Sequence, residues 1–395
     1  MNISKIMKNI EESQTLKISA KAKEMGDKVI NLSVGEPDFN TPDYIKEAAK
    51  KAIDDNLTRY TDVSGIKDLR ETVALKFREE NNIDCDKDNI IVTNGAKEAI
   101  FLALKSIVDK DDEVIIINPY FTSYPQMIKL IDAVAVRVSV ENYFDFKIDY
   151  ELLKKYITDK TKCIIICSPS NPTGIVYSKE ELEEISKIAY ENNIYVISDE
   201  IYEDIFFEGE KFSIGSIDKS KDLVITINGT SKSFAMTGWR VGFACANKDI
   251  IKAMKKAKSH ISSNTNTISQ YASLFALQNK KDHKDIFEKR RSEFEKRRDL
   301  IISKISKSDK IDVIRPKGAF YAFIKVDNLF GLSYKDNKIK TDLDVCNLLL
   351  DYKKIAVTPG RAFGDNRYIR ISYAIDIESL EIAIDRLLEF SNEAK

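Results

Sequence analysis

Short apolar runs that alternate with helical patterns are the feature that most restricts how this chain can fold. Each run is bounded by turn residues, as buried strands are. Because helices are predicted between many of the runs, we expect an α/β fold in which helices flank a mainly parallel sheet. The predicted strands are residues 90–93, 113–117, 133–140, 163–168, 194–198, 223–227 and 241–246.

The pattern changes after about residue 250, where long charged helices become frequent. One helix is predicted around 282–307, and strand-like runs follow at 320–325 and 368–373. This region is therefore expected to form a second, smaller α+β domain. The expected division is 1–45 for an N-terminal arm with the first part of the small domain, 46–285 for the large domain and 286–395 for the small C-terminal domain.

Two predicted helices carry start signals. Thr41-Pro42 offers a capping hydroxyl followed by a first-turn proline. Ser178 with Glu181 three residues later has the form of a capping box.

Charge gives no reason to expect a nucleic acid or membrane partner. Lys and Arg number 62 against 63 Asp and Glu, for a net charge of -1. In the predicted helix 282–307, the pairs Arg290-Arg291 and Arg297-Arg298 are interleaved with glutamates, which favours a solvated helix face. Neither an export signal nor an apolar membrane span is apparent, so we expect a cytoplasmic protein.

Cysteine and histidine usage argues against a metal centre. The five cysteines are scattered without a Cys-x-x-Cys pair, which suits a reducing compartment. Cys163 and Cys167 are expected to pack within a buried strand. With His260 and His283 as the only histidines, we predict no metal and no histidine-dependent catalytic triad.

Four polar clusters follow predicted strands, where open α/β sheets bind their ligands. Together they supply an amine, a carboxylate, a phenol, an amide and a glycine turn that opens a helix. This combination suits a phosphorylated aldehyde cofactor. The clusters are residues 94–97, 168–174, 199–202 and 229–232.

The stretch 230–240, Thr-Ser-Lys-Ser-Phe-Ala-Met-Thr-Gly-Trp-Arg, resembles the cofactor-lysine signature of the class I aminotransferases of pyridoxal-phosphate fold type I. The resemblance runs from about residue 28 to 375 and implies this family's fold, cofactor and amino-transfer activity. Further motifs in the family's order lie at 35–39, 59–61, 171–174, 199–202 and 370–374.

The resemblance assigns the reaction centre to four residues. Lys232 is expected to form an imine with the cofactor aldehyde and, once displaced by the substrate amine, to move the α-proton. Asp199 would pair with the pyridinium nitrogen. Tyr202 and Asn171 would hydrogen-bond the phenolic oxygen of the cofactor.

The same resemblance implies a phosphate site. Arg240 would contact the phosphate through its guanidinium. Gly95 and Ala96 open a helix whose free N–H groups favour an anion. Ser231 or Thr230 would add a hydroxyl.

Three further residues are assigned by the family pattern. Tyr60 would reach the phosphate of the neighbouring subunit, which implies a homodimer with shared active sites. Arg370 would clamp the α-carboxylate of the substrate, which Asn171 would also contact. Gly35 would let the N-terminal segment approach the substrate closely.

Phe121 and Lys97 are expected to contact both the cofactor and the substrate, and they give information on the identity of the substrate. Phe121 stands where aspartate-specific members often carry a Trp over the cofactor ring. Lys97 resembles the lysine of the aspartate and prephenate branch that meets a distal carboxylate. Ser13 and Thr15 would assist from the N-terminal segment, and Arg361 has no assigned role.

The leading hypothesis is transamination between an amino acid, aspartate first, and the 2-oxo acid 2-oxoglutarate by a ping-pong cycle. Three alternatives stay open with the same cofactor: an aromatic or prephenate aminotransferase, an alanine aminotransferase, or a carbon-sulfur lyase. A non-catalytic cofactor-binding protein is the alternative from another class, and the retained lysine and arginines argue against it.

Overall fold

The computed structural model describes residues 3–26, 28–142 and 146–395. Residues 1, 2 and 27 of the expected N-terminal arm lie outside the described residues. In chain order the helices are α1 Lys5–Asn9, α2 Gln14–Glu24, α3 Asp43–Asp54, α4 Lys67–Asn81, α5 Ala96–Ile107, α6 Tyr124–Leu130, α7 Tyr150–Lys155, α8 Lys179–Asn192, α9 Lys248–Ile261, α10 Thr267–Gln278, α11 Lys284–Ile305, α12 Asp342–Leu348 and α13 Ile377–Glu393.

The strands form one large sheet, one smaller sheet and three short pairs. In chain order they are β1 Ile30–Asn31, β2 Ile90–Thr93, β3 Glu113–Ile117, β4 Val134–Val138, β5 Val140–Asn142, β6 Lys147–Ile148, β7 Thr161–Cys167, β8 Tyr195–Asp199, β9 Val224–Gly229, β10 Gly242–Cys245, β11 Asp312–Val313, β12 Tyr321–Lys325, β13 Ser333–Tyr334, β14 Asn337–Lys338, β15 Ile355–Ala356, β16 Thr358–Pro359 and β17 Tyr368–Ser372.

The large sheet has seven strands in the order β2-β10-β9-β8-β7-β3-β4. Strands β9, β8, β7, β3 and β4 run parallel to one another. Strand β10 is antiparallel to both of its neighbours, β9 and β2. The expectation of a mainly parallel α/β sheet is confirmed, and β10 is its reversed member. Because β10 lies between β9 and β2, those two strands point the same way and end at the same edge.

Both faces of the large sheet are covered by helices, which explains the apolar runs in the sequence. In β7, Ile164 and Ile166 pack against the α8 side of the sheet, where Ile185 is buried. The alternate residues Cys163 and Ile165 pack on the opposite side with helix α5. Strands buried on both faces read as continuous apolar stretches rather than alternating ones.

The smaller sheet is antiparallel, with the order β11-β12-β17-β16. Helices α11 and α13 contact each other beside it, and their apolar residues share one core with its strands. The N-terminal segment joins this part of the molecule, because β1 pairs in parallel with β15 and Ser372 donates its backbone N–H to the carbonyl of Leu32. The domain boundaries at 45/46 and 285/286 stay predictions.

The two helix-start signals have different outcomes. Ser178 and Glu181 form the expected capping box at the start of α8. The expectation for Thr41 was wrong: α3 begins at Asp43 behind Pro42, with no side-chain cap. Thr41 instead donates its hydroxyl to the carbonyl of Ala235, 2.6 Å away, since its segment lies against the loop that follows β9.

The prediction of a solvated face for the arginine pairs of helix 282–307 agrees with the exposed Arg291 but was wrong for Arg297 and Arg298. Arg297 and Arg298 on α11 are buried. Arg297 makes a bidentate contact with Asp38 at 2.8 and 2.9 Å, and Arg298 pairs with several carboxylates that include Glu295. These arginines hold the segment 35–41 and neighbouring loops against the helix.

Free cysteines and a cluster of carboxylates are two further polar features of the molecule. All five cysteines are free and buried, and Cys163 and Cys167 pack in β7 as expected. The carboxylates of Glu80, Glu203 and Asp204 form a cluster with the spacing of metal ligands. Lysine ammonium groups already pair with all three carboxylates.

Across 3–26, 28–142 and 146–395, no helix has the length and apolarity needed to span a membrane.

Candidate active site

A cavity of about 350 Å³ opens at the carboxyl edge of the large sheet, a volume within the usual range for small-ligand sites. It lies where the sequence predicted a site, because β7, β8 and β9 all end there. Among its lining residues are these predicted ones: Ser13, Thr15, Gly35, Ala96, Lys97, Phe121, Asn171, Asp199, Tyr202, Ser231, Lys232, Arg240 and Arg370.

Three predicted site residues do not line this cavity. Thr230 is buried, with its hydroxyl 3.5 Å from the carbonyl of Val241. Gly95 lies behind Arg240 at the start of α5. Tyr60 is 91% exposed on the surface of the chain. Its predicted contact is with another subunit, so a single chain leaves that prediction untested.

Lys232 follows β9 and points its amine into the cavity. Its Nζ donates a hydrogen bond to the carbonyl of Gly35 at 2.6 Å. Burial lowers the pKa of Lys232 to about 8, while the carboxylate of Glu36 opposes that shift. A substantial fraction of this amine is therefore neutral near physiological pH, as a nucleophile or base must be.

Asp199 ends the neighbouring strand β8 and is buried. Tyr124, on helix α6, donates its hydroxyl to Oδ2 of Asp199 at 2.7 Å. Burial raises the pKa of Asp199 to about 6, and the hydrogen bond from Tyr124 opposes that rise. A buried carboxylate of this kind favours a cationic partner in the cavity.

Tyr202 lies in the turn after β8 with its hydroxyl on the cavity. It is 2.8 Å from the hydroxyl of Tyr321, the first residue of β12. Phe320 meets the Tyr202 ring edge to face, with centroids 5.5 Å apart. Burial raises the pKa of Tyr202 well above its ordinary value, so the phenol keeps its proton.

Arg370 on β17 lines the same cavity and is buried. Its Nη1 donates to Oδ1 of Asn171 at 3.2 Å, and its Nη2 donates to the carbonyl of Ser33. Among the residues that the structure describes, Nε of Arg370 has no hydrogen-bond partner. A buried guanidinium with donor capacity left over is suited to a carboxylate ligand.

Arg240 and the start of α5 form a basic corner. Nη1 of Arg240 donates to the carbonyl of Thr237 at 2.8 Å. A Cβ at Gly95, whose φ is +85°, would lie 2.5 Å from Nη2 of Arg240, so only glycine leaves room for the guanidinium. Together with the free N–H groups of α5, this corner suits a phosphate.

Lys97 and Phe121 meet at the cavity wall. Nζ of Lys97 lies 5.5 Å from the centroid of the Phe121 ring. Burial, and then the charge of Arg240, lowers the pKa of Lys97 below its ordinary value. An anionic ligand group placed here would relieve that unfavourable charge. Ser13, which caps α2, and Thr15 border the cavity beside it.

Sequence reasoning missed several residues of this site. Tyr124 stands in the aromatic stretch 119–125, and Tyr321 follows the turn Gly318-Ala-Phe, but neither motif says which residue it will meet. Glu36 and Thr237 also line the cavity and hydrogen-bond each other at 3.1 Å. The contacts of all four depend on chain segments that are distant in sequence.

Arg361, which had no assigned role, pairs with a fully buried carboxylate. Its Nε is 2.6 Å from Oδ1 of Asp342, and its backbone N–H donates to Oδ2 of the same residue at 2.8 Å. Nearby, the carbonyl of Phe363 accepts from the backbone N–H of Tyr120. Arg361 therefore secures a loop that contacts the segment carrying Phe121.

Comparisons with known proteins show similarity to one family over nearly the whole chain. The model of the family described as aminotransferase class I and II matches residues 27–387. The aspartate aminotransferase of Bacillus sp. (strain YM-2) is 43% identical, with 97% of each chain covered. The probable aspartate/prephenate aminotransferase of Rickettsia bellii is also 43% identical, with 98% of each chain covered. The structure of Thermus thermophilus aspartate aminotransferase with maleate has a TM-score of 0.93 at 37% identity, covering 99% of this chain and 100% of that one.

The lowered pKa of Lys232 predicts selective labelling of this amine. In the cofactor-free protein, reductive methylation of Lys232 should be half-maximal near pH 8, because burial favours the neutral amine. Mass-spectrometric peptide mapping across a pH series measures it, with exposed Lys252 as the reference. Half-maximal labelling at about pH 10, the ordinary lysine range, would contradict the assigned environment.

Proposed function

The chain belongs to the class I and II aminotransferase family, and we propose that it transfers the amino group of aspartate to 2-oxoglutarate with pyridoxal phosphate as its cofactor. One observation carries this proposal. The amine of Lys232, the carboxylate of Asp199 and the guanidinium groups of Arg240 and Arg370 all line one cavity.

The residues present fit pyridoxal phosphate. When bound, this cofactor supplies an aldehyde that condenses with amines and a cationic ring that accepts the electron pair left by a departing α-proton. Lys232 is the amine for the aldehyde, and Asp199 is the anion for the ring nitrogen. Tyr202 and Asn171 are the hydrogen-bonding groups for the phenolic oxygen.

The phosphate end of the cofactor fits the basic corner. Arg240 offers a planar guanidinium, and α5 offers backbone N–H groups at Ala96 and Lys97. Ser231 lines the same cavity with a hydroxyl. Because Gly95 has no side chain, there is room for Nη2 of Arg240 beside it.

Proton transfer is assigned to Lys232. With a pKa near 8, its Nζ can accept the proton from the α-carbon of the amino donor and return it during the second half of the cycle. Tyr124 fixes Asp199 through its hydrogen bond to Oδ2. The walls formed by Phe121 and Ile201 limit water around the reacting atoms.

Arg370 and Lys97 favour a dicarboxylic donor. The guanidinium of Arg370, which lines the cavity, would take the α-carboxylate in a charge-assisted contact. Lys97, on another wall of the cavity, would take the distal carboxylate. Aspartate and 2-oxoglutarate carry both groups, which allows one site to serve both halves of a ping-pong cycle. The relative solved with maleate, also a dicarboxylate, supports the choice.

An aromatic or prephenate substrate is the second candidate. Phe121 takes the place where aspartate-specific members often have Trp, and the Rickettsia relative is named for both aspartate and prephenate. Prephenate carries two carboxylates, so Arg370 and Lys97 would suit it as well.

We further propose a homodimer with shared active sites in the cytoplasm. Tyr60 is 91% exposed, which leaves its side chain available to complete a partner's site. The five buried free thiols fit a reducing compartment.

The function is tested with an amino-donor panel. Purified protein should turn over aspartate with 2-oxoglutarate faster than alanine or phenylalanine, and Lys232→Ala should abolish turnover because it removes the amine. Borohydride reduction followed by peptide mapping should place a phosphopyridoxyl label on Lys232. Absence of 2-oxoglutarate-dependent turnover of aspartate would reject the substrate, and a label elsewhere would reject the site.

Lys97→Ala should harm dicarboxylic donors selectively. We expect kcat/KM for aspartate to fall roughly 10- to 100-fold, since a charge-assisted contact to the distal carboxylate is lost. The value for alanine should change far less. Steady-state kinetics measure both, with Lys105→Ala on the exposed side of α5 as the matched control. Equal losses for both donors would remove Lys97 from the specificity argument.

Mixing two inactive variants tests the shared site. Lys232→Ala and Tyr60→Ala dimers should each be impaired, but mixed dimers combine an intact Lys232 of one chain with an intact Tyr60 of the other. Unfolding and refolding an equal mixture should restore about one quarter of the wild-type activity. If no activity returns although mixed dimers form, Tyr60 does not act across the interface.

A further inference from the structure

Two phenols meet beside the cavity in a contact that the assigned roles do not use. The hydroxyls of Tyr202 and Tyr321 are 2.8 Å apart, although the residues are 119 positions apart in the chain. Both side chains line the cavity and both are buried, at 4% and 1% exposure. Either oxygen is placed to donate, so the direction of this hydrogen bond decides what Tyr202 can offer a ligand.

The charges around the two rings favour Tyr321 as the donor. Burial raises the pKa of Tyr321 to about 12, and the guanidinium of Arg370, 4.6 Å from the centroid of the Tyr321 ring, opposes that rise. Burial raises the pKa of Tyr202 well above its ordinary value, and Tyr321, Cys167 and Asp199 all act in the same upward direction. The more acidic hydroxyl is the better donor, and the less acidic one is the better acceptor.

Packing holds the Tyr321 hydroxyl in place. A Cβ at Gly35 would lie 2.5 Å from this oxygen, so the backbone of the N-terminal segment passes directly beside it. The rings of Tyr202 and Tyr321 meet edge to face with centroids 5.6 Å apart. Within the described part of the chain, Tyr202 is the one hydrogen-bond partner recorded for the Tyr321 hydroxyl.

We propose that Tyr321 is a positioning residue for the cofactor: its hydroxyl donates to Tyr202, which leaves the Tyr202 proton directed at the phenolic oxygen of pyridoxal phosphate. This inference rests on the proposed function. In such a chain each hydrogen bond strengthens the next. A stronger donor draws charge from the phenolic oxygen, and the nitrogen that joins Lys232 to the cofactor then holds its proton less tightly.

The absorption of the bound cofactor reports the protonation of that nitrogen. In the holoenzyme, Tyr321→Phe removes one hydroxyl and weakens Tyr202 as a donor. The midpoint pH of the absorbance change should therefore rise by roughly half a unit to one unit. Other titratable or charged groups facing this site are unchanged by the substitution: Glu36, Lys97, Tyr124, Cys167, Asp199, Arg240 and Arg370.

Two further variants make the measurement specific. Tyr202→Phe should raise the midpoint at least as far, and adding Tyr321→Phe to it should cause little further rise, since both act through one chain of hydrogen bonds. Tyr373→Phe is the matched control. Its hydroxyl, also buried, donates to the carbonyl of Ala319 at 3.1 Å, and we expect no change in the midpoint.

The outcomes separate this inference from the function it rests on. An unchanged midpoint in Tyr321→Phe would overturn the inference alone. A lowered midpoint would do the same, because it would mean that Tyr202 had been donating to Tyr321. An equal rise of the midpoint pH in Tyr373→Phe would mean that the loss of any buried hydroxyl near the site changes the midpoint. That result would also overturn the inference. A wild-type protein that binds no pyridoxal phosphate would overturn the proposed function and this inference together.

Discussion

Burial of opposite charges at the carboxyl edge of the large sheet is the constraint on which the rest of the site depends. Lys232 and Asp199 follow neighbouring strands, and removal from water shifts both pKa values toward the neutral forms. A protein gains nothing in stability from such groups when they lack full compensation. A ligand with a cationic ring would compensate the charge of Asp199, and its electrophilic carbon would react with the amine of Lys232. The family membership implies such a ligand.

The sequence was informative where local rules decide the structure. Strands β2 and β3 have the predicted bounds, because apolar runs between turn residues leave few other choices. The capping box of α8 depends only on Ser178 and Glu181, three residues apart. The stretch around Lys232 could be recognised as a motif, and the structure brings thirteen of the residues predicted for the site to one cavity, Gly95, Tyr60 and Thr230 being the exceptions.

The sequence was uninformative where distant segments decide the contact. Tyr124 reaches Asp199 across 75 positions, and Tyr321 reaches Tyr202 across 119. The sequence around Arg297 predicts a solvated helix face, but Arg297 is paired with Asp38, 259 positions away. The antiparallel direction of β10 also depends on how the sheet closes rather than on its own residues. No local pattern encodes these pairings, since each depends on the assembled fold.

The segment 35–41 is attached to both parts of the molecule. Asp38 is bound by Arg297 on α11, whereas Thr41 donates to Ala235 in the loop that carries Lys232. Gly35 accepts from Lys232 in the same stretch. The backbone that borders the cavity is therefore attached both to helix α11 and to the loop that carries Lys232.

The tight fit of Gly95 against Arg240 also limits how this site can diverge. Even one methyl group at that position would displace the guanidinium, so a descendant chain must keep the glycine for as long as it depends on the anion in the basic corner. Once a lineage adopts a ligand without a phosphate, that restraint disappears. Loss of this glycine would therefore be an early mark, readable from sequence, of a relative that has abandoned the cofactor.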